Sequence, residues 1–126
     1  MAHSNAANVY RQNAVLTAKP EKIVKMLYDG AIRHMEQSRV ELSNPETRRS
    51  AASGEHLGKA FAIVSELRTS LDAKAGGEIA ENLERLYDFT LTQITEANLQ
   101  RDPVPVENGL KVMRTLKEGW DGIVTG

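Results

Sequence analysis

The chain has 126 residues, which is long enough for one domain to bury a core without disulfides or metals. Its 16 basic and 17 acidic residues give a formal net charge of −1, and this balance argues against a dedicated nucleic-acid-binding protein, which would normally carry an excess of basic residues. Cysteine is absent, so disulfide and thiolate chemistry are excluded, and the apolar runs are far shorter than the ~20 residues that cross a bilayer, so we expect no membrane insertion.

Residues 1–19 are predicted to form an extended N-terminal arm, separate from a domain that spans residues 20–126. Most of the arm is small and polar. Tyr10 and Val15 are the apolar side chains that would dock it on the domain, and the alternative is a frayed terminus without a role. The first residues have neither the basic end nor the apolar centre of a signal peptide, which agrees with a cytoplasmic protein.

The first predicted helix runs from Pro20 to about Leu42. Proline suits the first helical position because its φ is preset and its missing N–H would be unpaired there anyway. One apolar face follows the helical i, i+3, i+4, i+7 spacing. Other apolar residues fall off that face, and a helix with two apolar faces is either deeply buried or binds a partner. The main face comprises Val24, Leu27, Tyr28, Ala31 and Met35, and the additional residues are Ile23, Met26 and Ile32.

The second predicted helix follows Asn44-Pro45. Pro45 prevents the first helix from continuing, and Asn44 is a favourable N-cap for the next one. The segment 46–55 is a weak helix former, so we expect a firm helix only from about His56. Its apolar stripe consists of Leu57, Ala60, Phe61, Val64, Leu67 and Leu71, with Ile63 beside it.

The third and fourth helices are predicted from about Glu78 to Leu99 and from about Val106 onward. Two glycines within residues 73–77 break the chain before the third helix, and the prolines of residues 102–105 end it. No segment shows the two-residue alternation of a half-buried strand. Four amphipathic helices joined by short breaks predict an all-α fold, an antiparallel up-down four-helix bundle with an extended N-terminal arm.

A weak internal repeat relates the first and third helices. Leu27-Tyr28-Asp29 recurs later in the chain as Leu86-Tyr87-Asp88. In each copy we expect the leucine to face the core. The adjacent tyrosine lies ~100° further round the helix, so we expect it to bury its ring and keep its hydroxyl in water.

The sequence lacks the motifs that would make a helical bundle a metalloprotein or an enzyme. A carboxylate-bridged metal site needs Glu-x-x-His, but Ala31 and Ser53 stand three residues before His34 and His56. Gly76-Gly77 is better interpreted as a hinge than as a phosphate-binding loop. No nucleophile can be assigned with a base and an orienting group. We therefore expect no metal, no cofactor and no enzymatic activity.

One motif points to a different class of protein. His56-x-x-Lys59-Ala60 resembles the His-x-x-Lys-Gly core of histidine phosphotransfer domains, which are also four-helix bundles. In that case His56 would accept the phosphoryl group with Lys59 beside it. Ala60 replaces the glycine, and the alternative is that His56 and Lys59 are solvated residues on a polar helix face. A purely structural helical oligomer is a third class.

A series of short motifs follows a fixed order over most of the chain. They are Tyr10-x-x-Asn13-x-Val15, Thr17-Ala18-Lys19-Pro20-Glu21, Met26-Leu27-Tyr28-Asp29-Gly30-Ala31-Ile32, Lys59-Ala60, Glu66-Leu67-Arg68-x-x-Leu71-Asp72, Gly76-Gly77-Glu78-Ile79-Ala80-x-Asn82-Leu83-x-x-Leu86-Tyr87-Asp88, Ala97-Asn98 and Trp120. In this order and spacing they resemble the flagellar secretion chaperone family of the FliS type. The first helix departs from the family pattern, because Lys19-Pro20-Glu21-Lys22 replaces a Ser-Pro-Glu-Glu capping box.

The resemblance implies a chaperone that binds the C-terminal helical segment of flagellin, prevents its premature polymerisation and keeps it competent for type III export. It also implies the flagellar export gate as a further partner, and an arm that covers part of the apolar surface when no client is bound. The sequence leaves open whether the chain is a monomer or a homodimer.

A client helix needs an apolar groove between helices, and methionine suits such a groove because its thioether chain adapts to varied partners. Periodicity does not distinguish residues buried by a client from residues buried in the chain's own core. The residues expected to bind the client are Tyr10, Ile23, Met26, Leu27, Ile32, Leu57, Ile63, Val64, Leu67 and Leu71.

Overall fold

The computed structural model describes the backbone of residues 20–125 and the side chains of that range except those of residues 73–75, 120 and 122–125. Four helices follow one another: α1 (Glu21–Ser43), α2 (Ala51–Thr69), α3 (Ala73–Gln100) and α4 (Pro103–Thr125). Each helix packs against the next, and α4 packs back against α1. The predicted all-α, up-down four-helix bundle is confirmed. The predicted arm, residues 1–19, lies outside the described residues.

The start of α1 agrees with the missing capping box. Pro20 is the N-cap, and no side chain caps the helix. The Pro20 carbonyl accepts hydrogen bonds from the backbone N–H groups of Ile23 and Val24, at 3.0 and 3.1 Å. At the other end the helix stops at Ser43, two residues before Pro45, as the proline predicts.

The N-cap predicted for α2 was wrong. The Asn44 side-chain oxygen accepts from the backbone N–H of Glu46 at 3.0 Å, which is a local turn and not a helix cap. Ser50 caps α2 instead, since its hydroxyl accepts from the N–H of Ser53 at 3.3 Å. The helix therefore begins at Ala51, earlier than the firm start predicted near His56.

The predicted break before α3 is confined to one residue. A helix already begins at Ala73, and Gly77 interrupts it with φ 53° and ψ −129°, a conformation that favours glycine. The predicted start of α4 at Val106 was also late. Pro103 opens that helix, where its missing N–H costs nothing, and Asp102 accepts from the N–H of Val104 at 3.0 Å.

The prediction that the two tyrosines of the internal repeat keep their hydroxyls in water was wrong. Tyr28 and Tyr87 are 0% and 3% exposed, and their hydroxyl oxygens lie 2.5 Å apart in the middle of the bundle. Each hydroxyl avoids water by pairing with the other, which satisfies two polar groups in an apolar core. Burial raises the pKa of Tyr87 well above the ordinary value, so its phenol stays protonated. Leu86, expected in the core, is instead 37% exposed.

Candidate functional site

A groove between α1 and α2 carries most of the apolar surface that the sequence singled out on the first helix. Two contacts show which side of α1 faces α2: a Cβ at Gly30 would lie 3.3 Å from Cδ1 of Ile63, and His34 contacts His56. Residues three or four apart share a side of a helix, so Ile23 and Leu27 continue the side of Gly30 and His34. We call this surface the α1/α2 groove; its residues are Ile23, Met26, Leu27, Gly30, His34, Glu41, His56, Lys59 and Ile63.

The apolar end of the α1/α2 groove is exposed. Ile23 is 44% exposed and Met26 63%, although both are large apolar side chains. Leu27 and Ile63 are half-buried and pack against the core beneath them. Gly30 lets α2 approach closely, because a larger side chain there would press on Ile63. This end of the groove therefore offers a shallow apolar floor with two protruding side chains.

Ile32 lies on another side of α1. Asp29 and Glu36, three residues before and four after it, face α4: Asp29 pairs with Lys117 at 2.9 Å and Glu36 pairs with Arg114. Ile32 is half-buried against the core between these pairs. The structure thus separates Ile32 from the α1/α2 groove.

Four of the predicted binding residues on α2 and its end face inward. Leu57, Val64 and Leu67 are at most 2% exposed and belong to the hydrophobic core. Leu71 is half-buried against that core. In the described conformation these side chains are covered by the chain itself, so a client reaches the first three only if the helices separate. Tyr10, also predicted to bind, lies outside the described residues.

The other end of the groove is polar. Nδ1 of His34 lies 3.0 Å from Nδ1 of His56, and Nε2 of His56 lies 3.4 Å from a carboxylate oxygen of Glu41. Burial lowers the pKa of His34, and the positive charges of His56, Arg33 and Lys59 lower it further. Each ring nitrogen of His56 thus faces a side chain, Nδ1 facing His34 and Nε2 facing Glu41. This geometry disfavours His56 as a phosphoacceptor, which needs a ring nitrogen open to the donor.

Two further apolar grooves were not found by sequence reasoning. Between α3 and α4 a cavity of about 260 Å³ is lined by Leu86, Lys111, Val112, Thr115 and Leu116. Between α2 and α3 a cavity of about 370 Å³ is lined by Phe61, Asp88, Leu91, Thr92, Thr95 and Glu96. Periodicity placed Phe61 and Leu86 on core stripes, but they are 41% and 37% exposed. The sequence feature that could have indicated these grooves is the excess of large apolar residues at the edges of each stripe.

Within the described part of the chain, histidine and carboxylate side chains form no group of three or more that could hold a metal ion. Over the same residues, none of the helices has a stretch that is long and apolar enough to span a membrane.

Comparison with known proteins decides the family. The family model described as "Flagellar protein FliS" matches residues 2–126. The chain belongs to the FliS family. It is 41% identical over 106 residues to the flagellar secretion chaperone FliS of Vibrio cholerae, covering 84% of this chain and 76% of that protein. Similarity to the FliS proteins of Salmonella typhimurium (35% over 118 residues, 93% and 85% covered) and Bacillus subtilis (29% over 120 residues, 95% and 86% covered) extends over nearly the whole chain. The resemblance to the flagellar secretion chaperones is thereby confirmed.

Proposed function

We propose that this FliS-family chain is a non-enzymatic cytoplasmic chaperone that binds the C-terminal helical segment of flagellin. In this role it prevents premature polymerisation of flagellin and keeps it competent for export through the flagellar type III system. The observation that carries the proposal is the exposure of Ile23 and Met26 on the α1/α2 groove, in a chain whose relatives are named flagellar secretion chaperones.

The shape and chemistry of the groove favour a helix as its occupant. An amphipathic helix inserts apolar residues at i, i+3, i+4 and i+7 into a groove between two helices. Ile23 and Met26 are exposed and spaced by three residues, and Leu27 and Ile63 are half-buried against the core. A client helix lying along this line would cover the two exposed side chains. Met26 can repack around different client residues because its side chain is unbranched and flexible.

A client that folds as it binds loses conformational entropy, so it needs wide contact for useful affinity. The α1/α2 groove alone offers two well-exposed apolar side chains. The grooves beside Leu86 and beside Phe61 add apolar surface on other faces of the bundle. A flagellin segment that occupies more than one of these grooves would wrap around the bundle, and this arrangement accounts for exposed apolar residues on three sides.

The proposal is tested by mixing the full chain with a C-terminal fragment of flagellin. Size-exclusion chromatography with light scattering should show a stoichiometric complex at micromolar concentration, and the same measurement on the chain alone gives its own state, monomer or homodimer. A flagellin fragment lacking the C-terminal helices is the matched control and should not bind. Absence of any complex at micromolar concentration would refute the proposal.

The flagellar export gate is proposed as a second partner. Its binding is measured with the preformed complex of chaperone and flagellin fragment, because export requires that the client be delivered in the bound state. Binding of the cytoplasmic part of the gate to the complex supports this partner, and equal absence of binding to the complex and to the free chaperone contradicts it.

A further inference from the structure

Two histidines and a glutamate form a chain of contacts between α1 and α2 that client binding does not explain. His34 Nδ1 lies 3.0 Å from His56 Nδ1, and His56 Nε2 lies 3.4 Å from Oε1 of Glu41. The side chains of His56 and Glu41 are only 24% and 20% exposed. The second carboxylate oxygen, Oε2 of Glu41, is buried and has no hydrogen-bond partner. His56 is therefore placed to form an ion pair with this carboxylate when it is protonated.

Only one arrangement of hydrogens satisfies both contacts while the two rings are neutral. A neutral imidazole has one N–H and one lone pair. His56 must carry its hydrogen on Nε2 to donate towards Glu41, which leaves a lone pair on its Nδ1. His34 must then carry its hydrogen on Nδ1 and donate it to His56. The negative charge of the carboxylate thus favours this pair of tautomers.

One added proton can be held without losing either contact. If His56 becomes an imidazolium, its Nε2–H still faces Glu41, now as an ion pair, and its Nδ1–H can donate to His34. His34 then carries its single hydrogen on Nε2 and accepts through Nδ1. A second proton would place two N–H groups and two positive charges against each other at 3.0 Å.

We propose that His34, His56 and Glu41 form a proton-controlled latch between α1 and α2, which keeps its contacts when it binds one proton and separates when it binds a second. The latch sets the lower limit of pH at which this end of the α1/α2 groove stays closed. It is a property of the free chain and does not depend on what occupies the groove.

The charges around the rings oppose the second proton. Among the described residues, the charged groups named below lie on the two helices that form the groove. Arg33 and Lys59 add positive potential at His34, and with burial and His56 they keep the pKa of His34 below the ordinary value. Lys59 pairs with Glu55 at 3.3 Å, in an exposed contact that water and salt screen. The charged residues that line the cavity beside His56 are Arg33, Glu36, Arg39 and Glu41.

Separation of the rings would also act on a neighbouring close contact between the two helices. Gly30, where a Cβ would meet Ile63 at 3.3 Å, lies one turn before His34 on the same side of α1. If the rings repel each other, α1 and α2 part first at His34 and then at this contact. The groove would widen from its polar end towards Met26, which lies two turns from His34.

The tautomers and the protonation steps can be observed directly in the full chain. Nitrogen-detected NMR of the imidazoles, in a His3→Gln background that leaves only the two rings, should show His56 as the Nε2–H tautomer at neutral pH. On acidification His34 should bind the second proton, at a pH below the ordinary histidine pKa. Protonation of His34 at or above the ordinary value, or His56 as the Nδ1–H tautomer, would overturn the proposal.

The separation of the helices is measured in the same pH range. The chain has no cysteine, so spin labels can be placed at the exposed positions Gln37→Cys on α1 and Ala52→Cys on α2. Their distance should increase with the second protonation step, while a pair at Thr92→Cys on α3 and Lys111→Cys on α4 should keep its distance. Equal changes in both pairs would indicate general unfolding and contradict a local latch.

The substitution His34→Gln separates a latch from a merely structural contact. The glutamine amide can still donate to Nδ1 of His56 but cannot bind a proton. The variant should keep the neutral distance between the labels and lose its increase in acid. An unchanged acid-dependent increase in His34→Gln would overturn the proposal, and the titration of the unsubstituted chain decides the question if the variant does not fold.

Discussion

Met26 provides the sharpest test of the proposed client groove, because its side chain is 63% exposed in the free chain. Full burial of a methionine side chain contributes about 1.5–3 kcal/mol. Roughly two thirds of that remains available to a client, or about 1–2 kcal/mol. By the relation of 1.4 kcal/mol per tenfold in Kd, Met26→Ala should weaken binding of the flagellin fragment about 5- to 30-fold. Met26→Lys should weaken it more, since the client would also desolvate an ammonium group.

Affinity and stability are measured on the same preparations. Titration calorimetry with the flagellin C-terminal fragment gives Kd, and urea denaturation gives the free energy of unfolding. The Met26 variants should change the free energy of unfolding by less than about 1 kcal/mol. Leu99→Ala is the matched control, because Leu99 is 78% exposed at the end of α3, outside the α1/α2 groove, and should change neither quantity. Retained affinity together with a large loss of stability would show that Met26 belongs to the core and would refute the reasoning.

Three further predictions concern the core and the histidine pair. Leu57→Ala should lower the free energy of unfolding by about 2–5 kcal/mol in urea denaturation, because Leu57 is 1% exposed; a change near zero would mean that the site is not packed as described. Tyr28→Phe should cost about 1–3 kcal/mol because it removes the hydroxyl that pairs with buried Tyr87, and adding Tyr87→Phe should recover part of that loss, whereas strict additivity in the double-mutant cycle would argue against the pair. The lowered pKa of His34 means that the unfolded chain binds this proton more readily than the folded chain. Its contribution to stability is therefore complete above pH 6.5, the ordinary value, and is lost as the pH falls below it towards the folded pKa. The urea midpoint of His34→Gln should fall less on acidification than that of the unsubstituted chain, and parallel curves would contradict this assignment.

The number and order of the helices followed from local sequence, because their causes are local. Pro45 disfavours continuation of α1 through a local effect, since the residue before a proline avoids the helical conformation. The period of 3.6 residues fixes which side chains share a face. The exact starts of α2 and α4 did not follow in the same way. Asn44 and Ser50 are both residue types that cap helices well. Ser50 is the cap in the structure, and the first turn after it is held by a tertiary contact: Arg101, in the α3–α4 connection, donates to the hydroxyl of buried Ser53 at 3.1 Å.

The residues of the binding groove were predictable only in part, because the pattern within one helix does not show which neighbouring helix covers a side chain. The surplus of apolar residues on α1 was visible as a pattern, but that pattern treats Met26 and Ile32 alike. Met26 is 63% exposed and lies four residues before Gly30, on the side of α1 that faces α2, whereas Ile32 is half-buried between residues that pair with α4. Likewise Leu57 and Phe61 were assigned to one stripe, but Leu57 is 1% exposed in the core and Phe61 is 41% exposed.

The sequence by itself determined a bundle of four amphipathic helices with more apolar surface than one core requires, and the order of its motifs indicated the family. Only the tertiary structure decided which apolar residues remain uncovered. It also brought together pairs far apart in the chain, Tyr28 with Tyr87 and His34 with His56. The physical reason is that periodicity is a property of one helix, whereas burial and hydrogen bonding between helices depend on the rotation and distance of a neighbour. The helix that carries Ile23 and Met26 has two apolar faces in sequence, and the positions of α2 and α4 determine which of them remains accessible to a partner.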